Sequence, residues 1–261
     1  MIPDYHMHLR DPQEQVAHTV DAVEPFLETA AERGVDEIGF TEHVYYFRQT
    51  RALWELPYQT ERCAYDLDAY VDAVVEAKRR GGLPVKLGLE VDYVGERQDE
   101  LAAILEPYPW DYLLGSVHWI DGLAVDSSPD AGVWAEWPVE EVWRRYFEAL
   151  AELAASGHVD VLAHPDLAKI FGRRPERIEY PTLAGVALEI STNGRYKPVG
   201  ELYPDLELLD AAGLPVTLAS DAHVPANVGR DFELALELAR AAGYETVTVF
   251  NQRRARQEPL G

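Results

Sequence analysis

The chain has 261 residues, enough for one large α/β core or for two small domains. Its composition, 47% hydrophobic and 26% charged, is that of an ordinary globular protein, and no run approaches the roughly 18 consecutive apolar residues of a membrane span. With 46 acidic against 23 basic residues, the net charge of −23 would repel a phosphate backbone. We therefore expect no membrane insertion and no nucleic-acid partner.

Two features bear on the cellular compartment. Cys63 is the only cysteine, so no disulfide can form within the chain. The opening residues, Met1 to His6, lack the basic and apolar regions of a signal peptide. We expect a cytoplasmic protein.

Short apolar runs alternate along the chain with stretches of helical periodicity, which predicts a βα repeat. Candidate strands cover residues 4–8, 36–41, 84–90, 112–117, 159–163, 185–191, 215–220 and 245–250. Candidate helices cover residues 20–33, 66–80, 97–106, 138–156, 203–212 and 229–242, and several end at a glycine suited to a helix C-cap. Seven or eight mostly parallel units predict a barrel with outer helices, with an open doubly wound sheet as the alternative. No linker divides the sequence, so we expect a single domain over residues 1–261.

Two connections are unusually long and rich in aromatic residues. They cover residues 44–65 and 119–137. Loops of this length are uncommon unless they bind something. Their aromatic side chains are Tyr45, Tyr46, Phe47, Trp54, Tyr58, Trp119, Trp134 and Trp137.

Nearly every candidate strand is followed by an imidazole or a carboxylate. Barrel enzymes build their sites at this carboxyl end of the strands. One histidine at a strand end is often structural, but six strands that share the pattern indicate a functional site. The residues are His6, His8, His43, Glu90, His118, His164, Asp221 and His223.

The spacing of these residues indicates metal ions. His6 and His8 are two positions apart, so both rings point to the same side of a strand. Neutral imidazoles and carboxylates suit Zn, Mn or Fe, and the number of candidate ligands predicts a cluster of two or three ions. The sequence lacks a nucleophile elbow, a Walker A loop and a dinucleotide-binding fingerprint. His158 enters its strand from the opposite end and is interpreted as structural, while composition alone leaves His18 a surface residue.

The ordered motifs resemble the polymerase and histidinol phosphatase (PHP) superfamily, and within it the monofunctional histidinol-phosphate phosphatases. The resemblance implies a distorted seven-stranded (β/α) barrel with three metal ions, a phosphomonoesterase activity on L-histidinol phosphate and a role in histidine biosynthesis. The motifs are His6-x-His8, Thr41-Glu42-His43, Gly88-Leu89-Glu90, Gly115-Ser116-Val117-His118, His164-Pro165-Asp166 and Ser220-Asp221-Ala222-His223.

The resemblance also implies a ligand set. One ion would be held by His6, His8, Glu90 and Asp221. A second would share Glu90 as a bridge and take His118 and His164. The third would take His43, His223 and His18, the last of which lies 25 residues before His43.

Basic residues after the fifth and sixth strands predict where phosphate binds. Residues 169–197 carry six basic and three acidic residues, a local excess in a strongly acidic chain. Arginine can hold phosphate with two parallel hydrogen bonds. We expect Arg195, Lys197 and Lys169 to bind phosphate, and Glu90, Asp221, His223 and Arg195 to serve catalysis by metal-assisted hydrolysis of a small phosphate monoester.

Three other functions remain open from the sequence. Another PHP activity, a phosphodiesterase, nucleotidase or phosphotyrosine phosphatase, would keep the metals and change the loops. A non-catalytic module stabilised by metal is disfavoured by the complete ligand set. An amidohydrolase usually has a lysine after a middle strand, and none of the lysines here fits that position well.

Overall fold

The computed structural model describes residues 1–9 and 17–261. Its strands are β1 (Pro3–Asp4), β2 (Glu37–Phe40), β3 (Val85–Leu87), β4 (Glu90–Asp92), β5 (Leu114–Ser116), β6 (Trp119–Ile120), β7 (Leu123–Ala124), β8 (Val161–Leu162), β9 (Ala187–Ser191), β10 (Val216–Ala219), β11 (Thr246–Asn251) and β12 (Arg254–Pro259). Its α-helices are α1 (Val20–Glu32), α2 (Pro57–Arg62), α3 (Leu67–Arg80), α4 (Gln98–Leu105), α5 (Val133–Glu136), α6 (Val139–Ala155), α7 (Leu206–Ala212) and α8 (Phe232–Ala241).

Eight of these strands form two parallel sheets. One has the order β1-β2-β3 and the other the order β10-β9-β8-β5-β4. The strands alternate with helices along the chain, so the predicted α/β class is confirmed. β3 and β4 continue one another, with Gly88 and Leu89 between them.

Backbone hydrogen bonds link the edges of the two sheets. Tyr5 N donates to Leu218 O at 3.0 Å, which joins the segment after β1 to β10. On the other side, Glu90 N donates to Glu42 O at 3.0 Å, which joins β4 to the segment after β2. A distorted seven-stranded barrel, with β3 and β4 counted as one strand, would contain such links, but the strands here form two separate sheets, so the closed barrel stays a prediction.

The predicted eighth strand has a different role. β11 pairs with β12 in an antiparallel hairpin rather than with the parallel sheets. Its Phe250 packs beside Tyr5 and Tyr112 in a small buried cluster that also contains residues of β5, β8 and β9. The hairpin therefore contributes to a second, smaller apolar core beside the parallel strands.

Helices α1 and α3 begin and end close to the predicted residues, whereas α7 and α8 begin three residues later than predicted and α2 and α5 lie within the predicted long loops. The Thr19 side chain caps α1 by accepting a hydrogen bond from Ala22 N, and the buried residues Val23, Phe26 and Ala30 follow at helical spacing. Gly81 ends α3 with φ of +78°, a conformation that glycine adopts without strain. No helix of the described part of the chain has the length and apolar character needed to cross a membrane.

Glycine also permits close packing under the site. Gly39 and Gly88 lie on adjacent strand segments against the ring of Tyr112, and a Cβ atom at Gly88 would lie 2.7 Å from Tyr112 Cζ. The Tyr112 hydroxyl donates to Tyr5 O at 2.7 Å. These two glycines therefore leave room for the buried ring of Tyr112, whose hydroxyl links the segment before β5 to the segment after β1.

Candidate metal centre

The parallel strands bring eight of the expected metal ligands to one end of the sheets. The two parallel sheets contain seven strands if β3 and β4 are counted as one. An expected ligand lies within or just after six of these seven strands. Each ligand follows a strand or lies at its end, as the sequence predicts. The eight are His6, His8, His43, Glu90, His118, His164, Asp221 and His223, and all have at most a small exposed side-chain fraction except His223, at 24%.

Four donor atoms converge beside the first strand. His6 Nε2 lies 3.6 Å from Glu90 Oε2 and 3.7 Å from Asp221 Oδ1. His8 Nε2 lies 3.8 Å and 3.5 Å from the same two oxygen atoms. Two imidazoles and two carboxylates thus face one point, which is the first ligand set that the resemblance implies.

The other oxygen of Glu90 faces a second pair of imidazoles. Glu90 Oε1 lies 3.2 Å from His164 Nε2 and 3.5 Å from His118 Nε2. Because Oε2 faces His6 and His8, the carboxylate stands between two sets of donors. This is the geometry of a bridging ligand.

His43 and His223 lie close to the first strand. Their ring centroids are 6.2 Å apart, and the ring of His8 stacks on both. Donor atoms of His8, His43 and His223 all lie within 4.8 Å of one another. The structure therefore offers His8 as the third member of this group.

His18 does not join that group, contrary to expectation. Its Nε2 lies 3.2 Å from Glu42 Oε1, and its ring packs against Phe47, Tyr65 and Tyr70. The other oxygen of Glu42 lies 3.6 Å from His8 Nδ1. His18 thus contacts a carboxylate behind His8 rather than the cluster itself, because the chain before α1 places it on the far side of Glu42.

Three buried carboxylates support the imidazoles from behind. Glu189 Oε2 lies 2.8 Å from His6 Nδ1, and Asp92 Oδ1 lies 2.7 Å from His118 Nδ1. Glu42 occupies the corresponding position beside His8. Carboxylates in these positions orient metal-bound histidines in many proteins. None of these three carboxylates was predicted to support a ligand, although a charged residue in an apolar strand indicates such a role.

The protonation of the cluster follows from its burial and charges. Burial opposes ionisation of Glu90, but His43, His6 and His118 outweigh it and hold the pKa of that carboxyl well below its usual range. Burial also opposes protonation of His118, yet Asp92 and Glu90 raise its pKa to about 10. For His43, burial dominates and lowers the pKa to about 3. The cluster therefore combines an ionised carboxylate with imidazoles whose pKa values are shifted in opposite directions, upward for His118 and downward for His43.

The donor set fits divalent transition metals. His6 Nε2 and His8 Nε2 are buried and make no hydrogen bond within the described part of the chain, while Glu90 Oε2 lies 2.5 Å from His43 Nδ1. Buried polar atoms normally have a partner, and nitrogen and carboxylate donors of this kind suit Zn, Fe or Mn. These residues could therefore hold such ions.

A cavity of about 510 Å³ opens above the cluster. The predicted long connections form its walls, with Tyr45, Tyr46 and Tyr58 from the first and Trp119 from the second. The rest of its lining includes Leu56, Pro57, Gly122, Ala124, Asp126, Ser127 and Lys197. A larger cavity, of about 740 Å³, contains His158 and Asp99 but none of the expected ligands.

The three predicted phosphate-binding residues have different positions. Lys197 lines the cavity beside the cluster. Arg195 is not among the lining residues, and its Nε lies 3.4 Å from Asp231 Oδ2. Lys169 was predicted wrongly, because its Nζ is fully buried between Asp166 and Asp205 at 2.8 and 2.5 Å.

His158 is placed as the sequence predicts. Its Nε2 lies 2.7 Å from Asp99 Oδ1, near the start of β8 and away from the cluster.

Comparison with known proteins identifies the family. Residues 4–196 match the family model of the PHP domain. The chain belongs to the PHP domain family. The PHP chain is also 31% identical to a Deinococcus radiodurans protein named "Probable histidinol-phosphatase", over 92% of this chain and 94% of that one. It is 26% identical to the histidinol-phosphatase of Bacillus subtilis, over 83% of this chain and 92% of that one.

A solved structure has the same fold as the PHP chain. It is histidinol phosphate phosphatase from Lactococcus lactis, complexed with zinc, L-histidinol and phosphate. The TM-score is 0.69 at 20% identity, with 98% of each chain covered.

Proposed function

We propose that this PHP chain is a metal-dependent phosphomonoesterase that hydrolyses L-histidinol phosphate to L-histidinol and phosphate. The observation that carries the proposal is the position of Glu90, whose two carboxylate oxygens face two sets of imidazoles at the floor of an aromatic cavity. Relatives named for this activity cover nearly the whole chain. We expect the enzyme to work in the cytoplasm on this small molecule.

We assign three ions to the cluster, with zinc as the first candidate because the related Lactococcus lactis structure contains it. The first ion would take His6, His8, Glu90 and Asp221. The second would take Glu90, His118 and His164. The third would take His43 and His223, which lie beside His8 of the first set.

Bound ions of this type lower the pKa of water and polarise the oxygens of a phosphoryl group. The chain's own residues then orient the substrate. Lys197 lies beside His223 at the cavity wall, where burial and then the charge of His8 lower the pKa of that imidazole and Lys197 adds to the effect. Its ammonium group can neutralise charge on a phosphoryl oxygen as the leaving group departs.

The cavity also offers partners for the rest of the substrate. Histidinol phosphate carries an amino cation and an imidazole besides its phosphate. Asp126 lines the cavity and is exposed, so its carboxylate can pair with the amino group. Trp119 lies between His118 and Tyr58, with ring centroids 5.6 and 5.8 Å away, and can stack on the substrate imidazole.

A substrate panel tests this function directly. We expect zinc-loaded protein to prefer histidinol phosphate over ethyl phosphate by roughly a hundredfold in kcat/KM, because amino and imidazole contacts add a few kcal/mol of binding energy. The panel should also contain a phosphodiester, a nucleoside monophosphate and an amide, with chelator-treated protein as the control. Faster hydrolysis of the diester or the nucleotide would favour another PHP activity, and no hydrolysis at all would favour a non-catalytic module.

A further inference from the structure

Glu189 is a buried carboxylate within β9 that contacts two of the expected ligands. The residue is 0% exposed. Its Oε2 lies 2.8 Å from His6 Nδ1, and its Oε1 accepts a hydrogen bond from the backbone N–H of His164 at 3.1 Å. Both oxygens are therefore engaged behind the cluster rather than directed at an expected ion.

The contact with His6 selects one form of its imidazole. A neutral imidazole carries a proton on only one ring nitrogen, and an ionised carboxylate can only accept a hydrogen bond. At 2.8 Å from Glu189, Nδ1 must be the donor. The lone pair of Nε2 then faces Glu90 Oε2 and Asp221 Oδ1, which is the orientation that a metal requires.

The contact with His164 holds an uncommon backbone conformation. His164 has φ of +29°, which non-glycine residues rarely adopt and which costs free energy. The hydrogen bond to Glu189 fixes the N–H of this same residue. One carboxylate thus determines the orientation of a ligand after β1 and of another after β8.

We propose that Glu189 is a positioning residue of the metal centre, which fixes the Nδ1–H form of His6 and anchors the backbone of His164. The inference rests on the proposed metal centre. It assigns a role to a residue that does not itself bind an ion.

Replacement by glutamine makes the proposal testable. In Glu189→Gln, the amide oxygen accepts the hydrogen bond from the His164 N–H. The reverse orientation is unfavourable, because it would place the amide NH2, a donor, against the N–H, also a donor. The NH2 group therefore faces His6 Nδ1 and favours the opposite imidazole form, with the proton on Nε2. That form cannot donate its Nε2 lone pair to a metal.

Zinc affinity and the imidazole form are the two measurements. We expect Glu189→Gln to bind zinc about 10- to 100-fold more weakly in a chelator competition. The ¹⁵N NMR spectrum of the zinc-free protein, recorded at a pH high enough to leave the imidazole neutral, should show the His6 proton moved from Nδ1 to Nε2, a change that a purely structural role would not produce. Circular dichroism establishes that the variant is folded.

Glu37→Gln is the matched control. Glu37 is also a buried carboxylate in a strand, but it contacts Lys86 and the Tyr5 hydroxyl and no expected ligand. It should keep wild-type zinc affinity. If Glu189→Gln does not fold, Glu189→Asp decides, because it withdraws the carboxylate from His6 and should weaken zinc binding by a smaller factor.

The outcomes are distinguishable. Wild-type zinc affinity in a folded Glu189 variant, or an unchanged His6 imidazole form in Glu189→Gln, overturns the role of Glu189 and leaves the metal centre intact. Failure of the wild-type protein to bind zinc overturns the metal centre and, with it, this inference.

Discussion

The Nε2 atom of His164 lies 3.2 Å from Oε1 of Glu90. The second oxygen of the same carboxylate faces His6, on the opposite side of the cluster. A single side chain therefore separates two groups of donors that come from different strands.

Glu90→Gln should remove metal from both groups. A neutral amide is a weaker ligand than a carboxylate, so we expect the bound-metal content to fall by more than one ion and kcat to fall by about 100-fold or more. His164→Asn touches only one group and should cost about one ion. Elemental analysis and steady-state kinetics on both variants provide the measurement. Full metal content and activity in Glu90→Gln would contradict the bridging role.

His18→Asn tests the correction made to the third ligand set. Because His18 contacts Glu42 and lies outside the groups of converging donors, we expect the variant to keep the wild-type ratio of metal to protein. Its Tm should fall, since Glu42 loses a buried hydrogen-bond partner. His158→Asn serves as the comparison, because His158 is half-buried beside Asp99 and should change neither metal content nor kcat. Loss of one ion in His18→Asn alone would restore His18 as a ligand.

Three basic residues should respond differently to replacement. Lys197→Ala should lower kcat/KM for histidinol phosphate and ethyl phosphate alike, by about 10- to 100-fold, because both substrates carry the phosphoryl group. Arg195→Ala should have a smaller effect, since this side chain contacts Asp231 and lies outside the cavity lining. Kinetics with the two substrates decide between these roles. Equal effects of the two replacements would place Arg195 at the phosphate as well.

Lys169→Met should act on stability instead. Its ammonium group is buried between Asp166 and Asp205, so its removal leaves the buried Asp166 carboxylate without its cation. We expect a loss of about 3 to 5 kcal/mol in the free energy of unfolding. Denaturant titration measures this loss, and an unchanged midpoint with a raised KM would instead indicate phosphate binding.

Trp119→Ala should reduce discrimination between substrates. The indole lines the cavity beside His118, where it can contact the imidazole of histidinol phosphate. Ethyl phosphate has no ring that could make this contact. We expect kcat/KM for histidinol phosphate to fall about 10-fold, with ethyl phosphate nearly unaffected. A parallel loss for both substrates would mean that Trp119 supports the site rather than the substrate.

Metal binding should release protons. In the metal-free protein, Asp221 and Glu42 overcome the effect of burial and raise the pKa of His8 to about 9, while the pKa of His118 is raised to about 10. Both imidazoles are then protonated at pH 7, and an ion must displace those protons. We therefore expect zinc affinity to fall as pH is lowered from 8 to 6. A pH indicator in weak buffer should record proton release on zinc addition, and a constant pH would contradict it.

Much of the fold could be predicted because its signals are local. The strands and major helices follow apolar periodicity, and Gly81 ends α3 as its position suggests. The hairpin partner β12 could not be predicted, since its residues are polar and mostly exposed. β12 forms a strand because it pairs with β11, and its own sequence has no apolar periodicity that would predict it.

The ligand positions could also be predicted from local sequence signals. The contacts of the surrounding charged residues could not, because they join residues far apart in the chain. Glu90 begins β4 shortly after β3, and His164 follows β8, but one partner of Lys169 lies 36 residues away at Asp205. A local excess of basic residues therefore gave the wrong interpretation of Lys169. Glu189 could have been noticed, because a charge inside the apolar run from Val186 to Ile190 requires a buried partner.

The link between the first and last strands of the parallel sheets bears on how the protein is synthesised. Asp4 accepts hydrogen bonds from the N–H and the hydroxyl of Ser220, 216 residues later in the chain. The first proposed ion likewise needs His6 and Asp221. In a chain still emerging from the ribosome, β1 can pair with β2, but its other edge and the set of donors stay incomplete until residue 221 has been released. Loading of that ion must wait until residue 221 has left the ribosome, and chaperone protection of the nascent amino-terminal strands becomes most important before it.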